Sequence, residues 1–187
     1  KLLHLPDAPK SLALCFSRDK TPSYKKHSTN IEKLLSYNHN VAGAKKHRLI
    51  IGGCDSVKLA KRYGTPLYVF NEERLRKNCL AYRQGFGRYY PHETRIAYAA
   101  KAFLTKAMVR LIDEEGLCLD VASAGELYTA LAAKFPAGRI YMHGNCKMRE
   151  EMEMALRHNV HRIIVDSEQE LKNLNAVAGK MGKKAEI

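Results

Sequence analysis

Four polar side chains stand at the ends of short apolar runs: Lys101, Asp120, His143 and Asp166. They recur at intervals of 19, 23 and 23 residues, about the length of one strand and one helix with their connections. Lys101 lies in Ile96-Ala97-Tyr98-Ala99-Ala100-Lys101-Ala102-Phe103, which reads as a buried strand. Burial disfavours an ammonium ion and leaves the free amine, a nucleophile toward an aldehyde. The competing account is a strand-end lysine with its stem packed and its head in water. If successive strands lie side by side, all four residues face one cavity.

Each also has a plain structural explanation. Ser123-Ala124-Gly125-Glu126 and Ser167-Glu168-Gln169-Glu170 carry the S-x-x-E spacing of a helix capping box. Asp120 and Asp166 suit strand-end turns, and His143 suits a packed histidine. In His143-Gly144-Asn145, Gly144 permits close backbone approach. Met148, Met152 and Met154 read as filler of the helix that follows.

The elements that position these residues alternate strand and helix. Leu49-Ile50-Ile51 and Pro66 to Phe70 read as strands around a small helix at Val57 to Tyr63, with Gly64-Thr65-Pro66 as a turn. A helix follows with Leu75, Cys79, Tyr82 and Phe86 on one face. Next come a strand at Arg95 to Ala99 and a helix burying Met108, Leu111 and Ile112 that stops at Gly116. The strand Leu117 to Val121 precedes a helix burying Leu127 and Leu131. Arg139 to Met142 is a strand, Arg149 to Arg157 a helix, Arg162 to Val165 a strand and Glu168 to Met181 a helix. Glu186-Ile187 opens one more strand, so the pattern stops in mid-course. Such alternation implies an α/β fold with parallel strands and right-handed crossovers, either a doubly wound sheet or a (β/α)8 barrel. No G-x-G-x-x-G follows the first strand, which disfavours the former. Four or five units amount to about half a barrel.

Composition narrows the class. The chain has 187 residues, 45% of them hydrophobic, and no apolar stretch approaches the roughly 20 residues a membrane helix needs. No secretory signal is evident. Five cysteines without a C-x-x-C pair argue for a reducing compartment and against a disulfide or zinc framework. His158 and His161 are the only histidines at helical spacing, and no carboxylate or cysteine completes a metal site. Residues 1–48 carry ten Lys/Arg against three Asp/Glu, a good share of the formal +13. This basic segment lacks periodicity and reads as an irregular leader, not as a nucleic-acid reader.

Taken together, Tyr98 to Phe103, Gly116 to Leu127, His143-Gly144-Asn145-Cys146-Lys147, Val165 to Leu171 and the upstream Tyr63 to Val69 resemble the diaminopimelate decarboxylases, which are fold type III pyridoxal-phosphate enzymes. The resemblance runs from Leu49 to Ile187 in order and spacing. It implies a (β/α)8 barrel that carries pyridoxal 5'-phosphate and a β-sandwich built mainly from a C-terminal portion. By that mapping residues 1–48 are a leader, residues 49–70 are strands joining the sandwich, and residues 71–187 are the first half of the barrel. Lys101 is then the Schiff-base lysine, with Ala99, Asp120, His143 and Asn145 near the cofactor. Phe103 stands where many members have Asn, and Cys146 and Met148 replace commoner polar residues.

The implied reaction is decarboxylation of meso-2,6-diaminopimelate to L-lysine by a cytoplasmic homodimer without membrane or nucleic-acid partners. Ornithine- or arginine-type decarboxylation and a noncatalytic pyridoxal-binding homologue remain as alternatives. The resemblance further implies that this polypeptide is an N-terminal fragment, unstable and inactive alone, because the phosphate site and the group facing the pyridine nitrogen come from later strands.

Overall fold

The computed structural model describes residues 12–15 and 49–187. Most of the expected leader lies outside the described residues. The chain divides into two compact units, Lys1–Asn78 and Cys79–Ile187.

In the first unit, β1 (Leu12–Cys15) pairs in parallel with β4 (Tyr68–Asn71), Leu12 opposite Tyr68 and Cys15 opposite Asn71. The expected irregular leader thus contains a strand. Four residues are too few to show a period, and the pairing is set by a partner more than fifty positions away. β2 (Ile50–Ile51) and β3 (Cys54–Asp55) form an antiparallel hairpin. Its two-residue turn puts Gly52 and Gly53 at φ 53° and 77°, the left-handed backbone that favours glycine. Asp55 Oδ1 then accepts the amides of Val57 (2.8 Å) and Lys58 (3.2 Å), starting α1 (Ser56–Tyr63) one residue earlier than its apolar pattern suggests. Cys54 is disulfide-bonded, whereas Cys79, Cys118 and Cys146 are not in disulfides. That bond runs against the expectation, drawn from cysteine spacing, of no disulfide framework, because spacing along the chain does not reveal which residues meet in space.

Helix α2 (Glu72–Tyr89) runs across the unit boundary. Of its expected inward face only Cys79 is buried, while Tyr82 and Phe86 are 63% and 46% exposed. A groove of about 500 Å³ runs along its second half, lined by Ala81, Tyr82, Gly85, Phe86, Tyr89 and Tyr90. It contains none of the candidate site residues.

The second unit is a four-stranded parallel sheet: β5 (Ala97–Ala99), β6 (Cys118–Val121), β7 (Ile140–Met142) and β8 (Arg162–Ile163), in that spatial order. Between them lie α3 (Lys106–Glu114), α4 (Ala124–Ala132) and α5 (Arg149–Arg157), with α6 (Glu168–Met181) after β8. A doubly wound sheet reverses its strand order at a switch point, but this order is strictly sequential. Each helix from α3 to α6 also packs on the next, as in the outer ring of a barrel.

Alternation along the strands explains the two faces. Leu119, Val121, Ile140, Met142 and Ile163 are essentially inaccessible and form one face. Ala99, Asp120 and Tyr141 share the other face and are only partly covered. The core is completed by Met108, Val109 and Ile112 of α3, Leu127 and Ala130 of α4, Met152 and Ala155 of α5 and Leu174 of α6. Gly116 ends α3 as expected, at φ 70°. Beyond α6, the Ile163 amide donates to the Glu186 carbonyl at 2.9 Å, so the chain end lies beside β8 where a further strand was expected.

Candidate active site

All candidate residues lie toward the carboxyl ends of β5 to β8, Ala99 and Asp120 within their strands and the others in the segments between strand and helix. Lys101 is not in a buried strand. β5 ends at Ala99 and Lys101 sits in a 3-10 turn, Ala100–Ala102, where it is exposed. The strand breaks off because Ala100 turns inward, 1% exposed, and the Tyr98 hydroxyl bridges the turn by donating to the Phe103 carbonyl at 2.8 Å. Burial raises the Tyr98 pKa, with the Cys79 thiol adding to the rise, so the phenol keeps its proton for that bond. The sequence-level argument from desolvation therefore fails for Lys101 in this segment. Its position at the strand end remains.

Ala99 pairs with Asp120 across β5 and β6. Its methyl side chain keeps the space beside the carboxylate small-walled. Asp120 lies within β6 and not after it, because β6 continues to Val121. His143 follows β7, its amide donating to the Val121 carbonyl at 2.7 Å. This bond continues the ladder by one residue and places His143 near Asp120: Nδ1 stands 3.4 Å from Asp120 Oδ1. The side chains are 50% and 28% exposed, so the pair faces solvent at the sheet end.

The turn after His143 is shaped by contact with its neighbour. Gly144 has φ 97°, and a Cβ there would lie 2.9 Å from the Ala122 carbonyl oxygen. Only glycine fits. Asn145 and Cys146 are exposed, and Cys146 also adopts a left-handed backbone at φ 60°. Asp166 lies three residues past β8, which is shorter than expected, and is exposed. The structure thus brings Ala99, Asp120 and His143 together and sets Lys101 and Asn145 on the same rim.

The serine caps form as their spacing predicts. Ser123 Oγ accepts the Glu126 amide and Ser167 Oγ the Glu170 amide, at 3.3 and 3.2 Å. The glutamates reach back one residue further than in a standard capping box, to the amides of Ala122 (2.7 Å) and Asp166 (3.4 Å).

Three buried charged residues escaped the sequence reading as site elements. Lys147 Nζ donates to Gly144 O, Ile164 O and Glu170 Oε1 at 2.7, 2.5 and 2.5 Å. Glu151 accepts the Ala124 amide from α4 and the Met148 amide from its own helix start, both at 2.9 Å. The available signal was that Glu151 and Glu170 stand in the first turn of helices that begin at this rim.

Sequential parallel strands with helices on one side, and an amine, a carboxylate and an imidazole at their carboxyl ends, define a barrel-type α/β enzyme domain. The profile described as "Pyridoxal-dependent decarboxylase, pyridoxal binding domain" matches residues 72–186, and the chain belongs to that family. It is 45% identical over 142 residues to a diaminopimelate decarboxylase of Bacillus methanolicus, an alignment covering 76% of this chain and 33% of the relative. The crystal structure of the M. jannaschii diaminopimelate decarboxylase superposes with a TM-score of 0.73 at 37% identity, covering 80% of this chain and 35% of that one. The M. jannaschii enzyme in complex with L-lysine gives 0.68 at 36% identity, covering 79% and 35%. The chain spans about a third of the length of the relatives it matches.

The donor set fits one side of a pyridoxal group. An exposed primary amine, a small alanine wall and a carboxylate-paired imidazole stand on one rim, and the backbone at Gly144 is drawn in close. No helix among the described residues is long and apolar enough to cross a membrane.

Proposed function

We propose that the intact protein decarboxylates meso-2,6-diaminopimelate to L-lysine, using pyridoxal 5'-phosphate held at the carboxyl rim of the sheet. The observation that carries this reading is the placement of Lys101, Ala99, Asp120 and His143 on one rim within the family-matching segment. The names of the relatives and the L-lysine complex support the substrate class. In this reading residues 71–187 are the first half of an eight-unit barrel and residues 49–70 belong to a sandwich domain.

When bound, the pyridoxal group supplies an electron sink for the carbanion left by departing carbon dioxide. Lys101 would hold the cofactor through Nζ, and as a free amine at the rim it would hold or deliver a proton. Asp120 orients His143, since a proton on Nδ1 satisfies the carboxylate and leaves Nε2 as the free edge. Ala99 leaves room for a flat ring beside Asp120. Asn145 offers an amide from the same loop.

A homodimeric, cytoplasmic enzyme is part of the proposal. The thiols of Cys79, Cys118 and Cys146, outside any disulfide, fit a reducing compartment and the Cys54 disulfide runs against it. Thiol labelling of protein quenched directly from cells decides this: a labelled Cys54 supports the cytoplasm and a blocked one opposes it.

Borohydride reduction of the cofactor-loaded protein followed by peptide mass mapping tests the central assignment. The pyridoxyl mass is expected on the Lys101 peptide, and its appearance on another lysine refutes the assignment. Carbon dioxide release should be faster from meso-diaminopimelate than from ornithine or arginine. The reverse order selects the other decarboxylase class, and cofactor binding without release identifies a noncatalytic homologue.

A further inference from the structure

Lys147 carries a full charge into the protein interior, with its side chain 1% exposed and that of its partner Glu170 7% exposed. Stability alone is a poor reason for such a pair, because a well-packed apolar pair of similar volume serves as well or better. Its geometry points elsewhere. The three protons of the ammonium have three acceptors, Gly144 O, Ile164 O and Glu170 Oε1. One acceptor is in the loop after β7, one lies just beyond β8 and one is in the first turn of α6. Glu170 holds the Asp166 amide with its other oxygen. Gly144 is meanwhile pressed against Ala122, in the loop after β6. Two successive rim loops therefore meet at one buried lysine, and a third, after β6, presses on the His143-Gly144-Asn145 turn at Gly144.

We infer that Lys147 is a positioning residue, which through Glu170 and the two carbonyls locks the His143–Asn145 turn and thereby sets where His143 stands at the pyridoxal site. The inference rests on the proposed function for its catalytic meaning, but the locking itself is independent of it. Lys183 supplies the contrast. Its ammonium donates to Leu156 O, Arg157 O and Asn159 Oδ1 at 2.8, 3.2 and 2.8 Å, closing the carboxyl end of α5 at the end of the sheet where the strands begin.

The test compares the intact protein with Lys147→Met/Glu170→Gln, which removes both charges at similar volume, and with Lys183→Met. In cofactor-free protein, amide exchange at residues 143–147 should accelerate on the order of tenfold in the double variant and stay unchanged in Lys183→Met. Pyridoxal 5'-phosphate should bind on the order of tenfold more weakly to the double variant only, with an altered circular dichroism of the bound cofactor. A double variant that melts lower yet keeps parental exchange at 143–147 and parental affinity reduces Lys147 to a structural role and overturns the inference. Should the double variant fail to fold, Glu170→Gln alone is used, and unchanged exchange there overturns it equally. If the parent protein binds no pyridoxal phosphate, the proposed function fails while the exchange measurement still decides the lock.

Discussion

Where strands β6 to β8 begin, charged groups are spread and wet: Arg139 pairs with Asp113 and donates to Leu117 O at 3.1 Å, and Arg95 Nη1 meets His161 Nε2 at 3.0 Å. Where the strands finish, charges are sunk and shared: Lys147, Glu151 and Glu170 are all at least nine-tenths buried, Lys147 and Glu151 each hold backbone from two segments, and Glu170 ties Lys147 to the Asp166 amide. At the first rim the contacts are surface pairs and single carbonyls, and Lys183 gathers Leu156 O, Arg157 O and Asn159 Oδ1 from one helix end only. The second is joined through common atoms, so displacing one loop displaces its neighbours. Loops that carry chemistry need the second kind of construction.

The largest effect should come from the amine itself. Lys101→Ala in the intact protein is expected to lower decarboxylation by at least about 10³-fold with an unchanged melting temperature, because the side chain is exposed and holds no part of the fold. A large drop in melting temperature would show that Lys101 belongs to the structure and not to the site. Two left-handed glycines then compare the rims directly. Gly144→Ala meets the Ala122 carbonyl at 2.9 Å and should cost about 3 kcal/mol in urea unfolding. Gly116→Ala meets nothing closer than Arg83 Nη1 at 3.8 Å and should cost only about 1 kcal/mol. Equal costs would remove the claim that the carboxyl rim is the tighter one.

Glu151→Ala strips two amides of their acceptor and should cost about 2 kcal/mol, whereas Arg139→Met, at a half-exposed pair, should cost under about 1 kcal/mol. The same denaturant series reads both. Thiol labelling gives a smaller contrast. Burial pushes the Cys118 thiol up, although the Arg95 and Arg139 charges oppose it, so Cys146, exposed on the carboxyl rim, should label first and Cys118 last. Simultaneous labelling would mean that the sheet opens as a whole.

Smallest is a pH effect at the amino rim. Partial burial, then the Arg95 and Arg162 charges, hold the His161 pKa below its ordinary 6.5. The folded protein therefore binds this proton less readily than the unfolded chain does. The contribution is complete above about pH 6.5 and is lost as pH falls through the lowered folded value. His161→Gln should flatten that part of the stability profile, and a steeper profile in the variant would reverse the sign.

Much of the barrel-like segment is legible in the sequence. The helices Arg149–Arg157 and Glu168–Met181 occur as their apolar spacing and caps foretell, because periodicity and capping are local. Gly144 was readable as a close-approach glycine for the same reason. The strands were less legible. β8 stops at Ile163 where Val165 was expected, and β5 starts at Ala97 where Arg95 was expected, since strand ends depend on what lies alongside. The Tyr82 and Phe86 face of α2 was read as buried from its period alone, yet no described element covers it.

The type and order of elements, the helix starts and the four-residue roster of the rim were determined by the sequence itself, through short-range sterics and apolar period. Tertiary structure alone decided that Lys101 is exposed, that Asp120 meets His143, that Leu12–Cys15 is a strand and that Cys54 is bonded. It also decided that Lys147 is buried among three acceptors drawn from two loops and a helix start up to 26 residues apart. Each of these depends on which distant backbone stands within hydrogen-bond reach, and no local pattern encodes that.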